Sequence, residues 1–209
     1  MTSTLSESTY KYMYELNEKS VCIPIHPVAY LSKNLTEYFY TMEIFVCTYQ
    51  HVQYLVEQTN AKYVLSVGNS PEMDEGVLEQ LEFLYLQFAD IDNPVPQNIR
   101  HAASKEQIQQ IIDFAQQWNG NGPMIINCRQ GHRRSPAAAY IVMAALSKHK
   151  DYSALLNILR MSAPHAEPNK WMIKVADYLL QCEGKLNEAL AVPFVAEKVR
   201  PDYISLQFD

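Results

Sequence analysis

PMIINCRQGHRRSPAAAY, residues 123–140, decides the reading of this chain. Residues 123–127 are a short apolar run that predicts a buried strand, and Cys128 follows at once. Gly131 then allows a tight loop of positive φ. His132, Arg133 and Arg134 place basic side chains beside it. Ser135 and Pro136 suit the N-cap and first position of a helix, which the alanines continue. A strand, a glycine-bearing loop and a helix start together make an anion site, because loop amides and the positive end of the helix dipole point at whatever sits above them. A free thiol titrates near ~8.5, and helix N-termini with nearby cations bring that to roughly 3.5–7.5, so a cysteine placed here is expected to be a nucleophile.

The wider composition sets the class. The chain has 209 residues, enough for one domain with a sizeable core, and 48% hydrophobic with 19% charged residues fits a soluble globular protein. No apolar run approaches the ~20 residues of a membrane helix, so no membrane span is expected. The net charge of −6 argues against nucleic acid as a partner and sets the basic cluster at 129–134 apart. The start lacks the basic and apolar stretches of a signal peptide, which predicts a cytoplasmic protein or delivery by a signal-peptide-independent route. The sequon at Asn34 is accordingly expected to be idle. Cys22, Cys47, Cys128 and Cys182 are scattered with no CxxC pair, which reads as reduced thiols, one reactive and three ordinary, and no metal.

Along the chain, residues 1–41 read as an N-terminal extension, either packed on the domain or flexible, in which Tyr10, Tyr12 and Tyr14 alternate. Residues 42–190 read as the main domain and 191–209, with two prolines, as a tail extended over the surface. Strands are predicted at 43–47, 62–67, 83–88 and 123–127, with a helix capped by Thr48 after the first. Ser104 and Gln107 form a capping box, after which Ile108, Ile111, Ile112, Ala115 and Trp118 share one face. Further helices are expected at 152–161, 169–182 and 186–190. Alternating strands and helices imply an α/β fold with a mostly parallel central sheet of four to five strands, flanked by helices. Ligands of such sheets bind beyond the carboxyl ends of the strands, where both Cys128 and Asp90 fall.

The spacing Cys128-x5-Arg134-Ser135 resembles the signature of the cysteine-dependent protein tyrosine and dual-specificity phosphatases. It is most similar to small bacterial tyrosine-phosphatase-like proteins, in which a CxxGxxRS loop runs into an Ala-rich helix and an APHAxPN-type segment follows. Here that segment is Ala163-Pro164-His165-Ala166-Glu167-Pro168-Asn169. The likeness runs from about Met42 to Leu190. It implies a phosphoric monoester hydrolase, without cofactor or metal, acting on phosphorylated proteins or other phosphomonoesters through a phosphocysteine intermediate. Cys128 is then the nucleophile and Arg134 the fork that holds two phosphate oxygens. Ser135 is the hydroxyl that helps Cys128 leave. Arg129, Gln130, Gly131, His132 and Arg133 form the substrate-binding loop, with Arg133 either a second phosphate-binding charge or a solvated side chain. An aspartate upstream supplies the proton to the leaving group. Asp90 and Asp92 are the candidates, Asp90 matching the family position better. Asn169 reads as a helix-start residue that supports the loop. The family has His where this chain has Asn127, and a small residue at the place of Arg133. Two alternatives share these residues. A rhodanese-like sulfurtransferase has a shorter Cys-x4-Arg loop, met here by Cys128 to Arg133. A catalytically weak phospho-binding pseudophosphatase would keep the loop without the turnover.

Overall fold

A computed structural model describes residues 42–194 and 201–208. The expectations for residues 1–41, among them the tyrosine alternation, Cys22 and the sequon, lie outside the described residues, as do residues 195–200 of the tail.

Among the described residues five strands form one sheet: β1 (Met42–Thr48), β2 (Tyr63–Val67), β3 (Glu82–Leu86), β4 (Met124–Cys128) and β5 (Tyr203–Phe208), in the order β3-β2-β4-β1-β5. β3, β2, β4 and β1 run parallel, and β5 joins β1 antiparallel. Every residue of β4 is buried. That is why its sequence is apolar up to Asn127 rather than alternating: a central parallel strand is covered on both faces.

The two faces are unequal. On one, α1 (Val52–Thr59) seals a small core of Cys47, Val52, Leu55, Ala61, Val64 and Ile125. On the other lies the main core, built by α3 (Lys105–Trp118), α4 (Arg134–Leu146), α5 (Tyr152–Ser162), α6 (Lys170–Leu179) and α7 (Lys185–Ala191). A single-turn α2 (Glu75–Leu78) precedes β3. α4 is the central helix. Its residues from Ser135 to Ala144 are all buried, as expected for a helix apolar on every side. Its alanines (137–139) are fully covered, and Tyr140 fills the space behind them while its hydroxyl donates to Tyr152 O at 2.9 Å. The Ser104–Gln107 capping box starts α3 as expected, with Gln107 N donating to Ser104 Oγ and Ser104 N to Gln107 Oε1.

Three expectations need correction. The tail does not simply lie over the surface, because residues 203–208 complete the sheet. Ile204, Leu206 and Phe208 are buried, and Met42 pairs with Phe208. The third strand stops at Leu86 rather than 88, because Gln87 and Phe88 leave the ladder to serve other groups. Thr48 does not cap α1 directly. A 3-10 turn (Tyr49–His51) intervenes, and Thr48 Oγ1 pairs instead with His51 Nδ1 at 2.8 Å.

Candidate active site

The site lies at the carboxyl end of β4. Side chains alternate along a strand, so Ile126 and Cys128 face the main core while Ile125 faces the α1 side. Cys128 is 3% exposed. The loop then turns through Gly131, at φ +63°, whose missing side chain allows it to sit on the end of β1. A Cβ there would meet Cys47 C at 3.3 Å and Cys47 O at 3.4 Å. Arg129 and Gln130, on the outer rim, are exposed.

The helix begins earlier than its sequence suggests. Arg133 occupies the cap position and Arg134 is the first helical residue, so Ser135 is not the N-cap. Pro136 still falls in the first turn, where no N–H is required. The shift turns the Ser135 hydroxyl inward. Ser135 is fully buried, and its Oγ donates to Cys128 Sγ at 3.1 Å.

Arg134 reaches back across the sheet. Its Nη1 donates to Phe88 O at 2.9 Å, which fixes the guanidinium beside the ends of β2 and β3. Room for it comes from Gly68, which follows β2 at φ +90°. A Cβ on Gly68 would lie 1.6 Å from Nη1 and 2.4 Å from Cζ. Arg134 Nε is buried with no hydrogen-bond partner among the described residues.

Asp90 and Asp92 point to the same neighbour, as alternation in an extended stretch requires. That neighbour is Arg133. Its Nε lies 3.1 Å from Asp90 Oδ2, its Nη2 pairs with Asp92 Oδ2, and its Nη1 lies 3.5 Å from Glu167 Oε2. Burial works against the Arg133 charge, but Asp92 and Asp90 outweigh it and raise its pKa above the ordinary value. Asp92 also steadies the start of α6, where its Oδ1 accepts from Lys170 N at 2.8 Å. Asn169 is the helix-start residue expected of it. Its Oδ1 caps α6 through Met172 N, its N donates to Arg133 O at 3.1 Å, and its Nδ2 donates to Asp90 Oδ1 at 2.7 Å.

The rest of the 163–169 segment backs the loop. Glu167 N donates to His132 O at 3.0 Å. The His132 and His165 rings stack at 6.4 Å between centroids, and His132 Nε2 lies 3.9 Å from Glu167 Oε2. Behind the loop, Asn127 is fully buried and its Oδ1 accepts from Ser66 Oγ at 2.5 Å, tying β4 to β2. Its Nδ2 has no partner among the described residues. Cys47, beside Asn127 on β1, is 1% exposed. Burial, and after it the neighbouring Cys128, pushes the Cys47 thiol far up.

The structure thus joins Ser135 to Cys128, seats Arg134 against Gly68 and Phe88, and gathers Arg133, Asp90, Asp92, Glu167 and Asn169 into one cluster. Sequence reasoning missed Gly68, His165 and Glu167 as parts of the site. Gly68 follows β2, and nothing local marks it as the seat of an arginine 66 residues downstream.

No family model and no curated protein matches the chain. Solved structures do. The chain resembles PTPMT1 with a TM-score of 0.51 at 11% identity, over 66% of this chain and 89% of that one. It resembles human DUSP28 with a TM-score of 0.50 at 10% identity, over 67% and 92%. The Yvh1 phosphatase domain from Chaetomium thermophilum gives 0.50 at 15% identity, over 66% and 92%. These likenesses establish the fold: a five-stranded, mostly parallel sheet flanked by helices, as in the dual-specificity and tyrosine phosphatases.

Proposed function

We propose that this protein is a cysteine-dependent phosphoric monoester hydrolase, acting on a phosphorylated protein or another phosphomonoester. The observation that carries the reading is the Ser135 Oγ–Cys128 Sγ hydrogen bond at 3.1 Å beneath a loop whose arginine, Arg134, is seated against Gly68 and Phe88. The phosphatase fold supports it, and favours the longer Cys-x5-Arg register over a sulfurtransferase.

In this reading Cys128, as thiolate, attacks phosphorus, and the P–O bond to the leaving group breaks as the S–P bond forms. Charge on the three peripheral oxygens is met by loop amides from 129–134 and by Arg134, which offers N–H groups beyond the one spent on Phe88 O. Asp90 gives its proton to the leaving oxygen. Water then attacks the phosphocysteine, giving a proton to Asp90. The S–P bond breaks while Ser135 Oγ–H stabilises the departing thiolate. Gln130 and Arg129, exposed at the rim, meet the remainder of the substrate. The protein itself supplies the positive charge the reaction needs.

Cys128→Ser tests the reading against its binding-only alternative. The variant is expected to keep the fold and the affinity for inorganic phosphate while losing turnover of aryl phosphates. Turnover above a few per cent of the parent, or a parent that binds phosphopeptide without releasing phosphate, would overturn it.

A further inference from the structure

Arg133 belongs to the same loop as Cys128, yet its guanidinium is spread over three carboxylates from two other segments. These are Asp90 and Asp92 after β3, and Glu167 before α6. This is not an isolated surface pair. The side chains are 26% exposed for Arg133, 30% for Asp90 and 22% for Asp92, and the fork is shared between two acids in a geometry that holds both. The anchor of the fork is itself fixed. Arg133 O accepts from Ala137 N and from Asn169 N, each at 3.1 Å. Asp90 is held from its other side by Asn169 Nδ2 at 2.7 Å. The Asp90 carboxyl therefore has its position set relative to the loop that carries Cys128.

We propose that Arg133 is a positioning residue for Asp90, and not a ligand of the substrate phosphate. This rests on the hydrolase reading above. A proton donor acts only within about 2.6–3.2 Å of the oxygen it protonates. A displacement of ~1 Å costs on the order of 10²-fold. The acid sits on a segment separate from the phosphate loop, and Arg133 is the side chain that bridges the two. The division of labour is between neighbours. Arg134 turns toward Gly68 and Phe88, on the phosphate side, while Arg133 turns toward the acids.

The test compares phenyl phosphate, whose leaving group needs a proton, with dinitrophenyl phosphate, whose leaving group does not. Arg133→Ala is expected to lower kcat on phenyl phosphate by ~10–100-fold and on dinitrophenyl phosphate by less than about 3-fold, with inhibition by inorganic phosphate unchanged. Arg133→Lys keeps one contact of the fork and falls between the two. In an Asp90→Asn background, Arg133→Ala adds no further loss on phenyl phosphate. Equal losses on both esters with weakened phosphate inhibition would make Arg133 an anion ligand and overturn the proposal. No loss on either ester would also overturn it. If Arg133→Ala fails to fold, Arg133→Lys carries the same comparison. A parent enzyme inert toward both esters defeats the hydrolase reading itself, and this inference with it, before any variant is made.

Discussion

Gly68 and Arg134 share one volume. The guanidinium of Arg134 occupies the space in which any other residue at 68 would place its Cβ, 1.6 Å from Nη1. A residue that follows the second strand thus decides where the Arg134 side chain can rest.

Gly68→Ala is therefore expected to displace Arg134, lowering kcat/KM by an order of magnitude or more and weakening inhibition by phosphate. Backbone strain must be separated from this effect, because alanine at φ +90° itself costs roughly 1–3 kcal/mol. Gly122 supplies the control. It has φ +78°, but a methyl group there would meet nothing within 4 Å, so Gly122→Ala carries the strain alone. Both variants should melt lower, and only Gly68→Ala should lose turnover. Equal kinetics in the two variants would show that the seat does not matter.

Alkylation should single out one thiol. Iodoacetate is expected to label Cys128 ahead of Cys47 and Cys182, with vanadate or inorganic phosphate protecting Cys128 alone. Cys47 is slow because it is buried and its thiol is pushed far up by that burial and by Cys128. Cys182 is slow because burial, the largest influence, raises its thiol as well. Peptide mass spectrometry over a time course reads the order. Labelling of Cys128 that ignores both anions would mean that the loop does not hold phosphate.

Asp90 and Asp92 should separate by pH. General acid catalysis gives kcat/KM on a basic leaving group a basic limb, which belongs to whichever aspartate supplies the proton. Asp90→Asn is expected to slow phenyl phosphate hydrolysis by roughly 10²–10⁴-fold and to flatten that basic limb. Asp92 accepts from Lys170 N at the start of α6, and asparagine can accept there equally well. Asp92→Asn should therefore keep the limb and most of the rate. A limb flattened by Asp92→Asn and intact in Asp90→Asn would exchange the two roles.

What could be read from the sequence was what neighbouring residues determine. β4 with Cys128 at its end, the capped α3 and the buried α4 follow from periodicity and capping, and their mutual order follows from strand–helix alternation. The start of α4 was displaced because Ser135-Pro136 has the chemistry of a cap, while the Asn169 N–H bonded to Arg133 O supports a cap at 133 from far along the chain. β5 was hidden by Pro193 and Pro201, although Ile204, Leu206 and Phe208 alternate with polar Ser205 and Gln207 as an edge strand should. The placement of Arg133 was out of reach for the same reason as that of Gly68. Its partners, Asp90 and Glu167, lie 43 and 34 residues away and meet it only once the sheet and α6 are in place.

That edge strand also closes the sheet between segments far apart in the chain. Ser205 Oγ donates to Glu43 Oε1 at 2.9 Å across 162 residues, and β1 is paired to β5 from Met42 to Cys47. Without residues 203–208, the backbone groups that β1 turns toward β5 lose those partners, and an open edge of this kind is a template on which strands of other chains add. The partners of Arg133, Arg134, Asp90 and Asp92 described above all lie before residue 171. A chain shortened before residue 203 would therefore keep those partners while losing the β5 cover of β1.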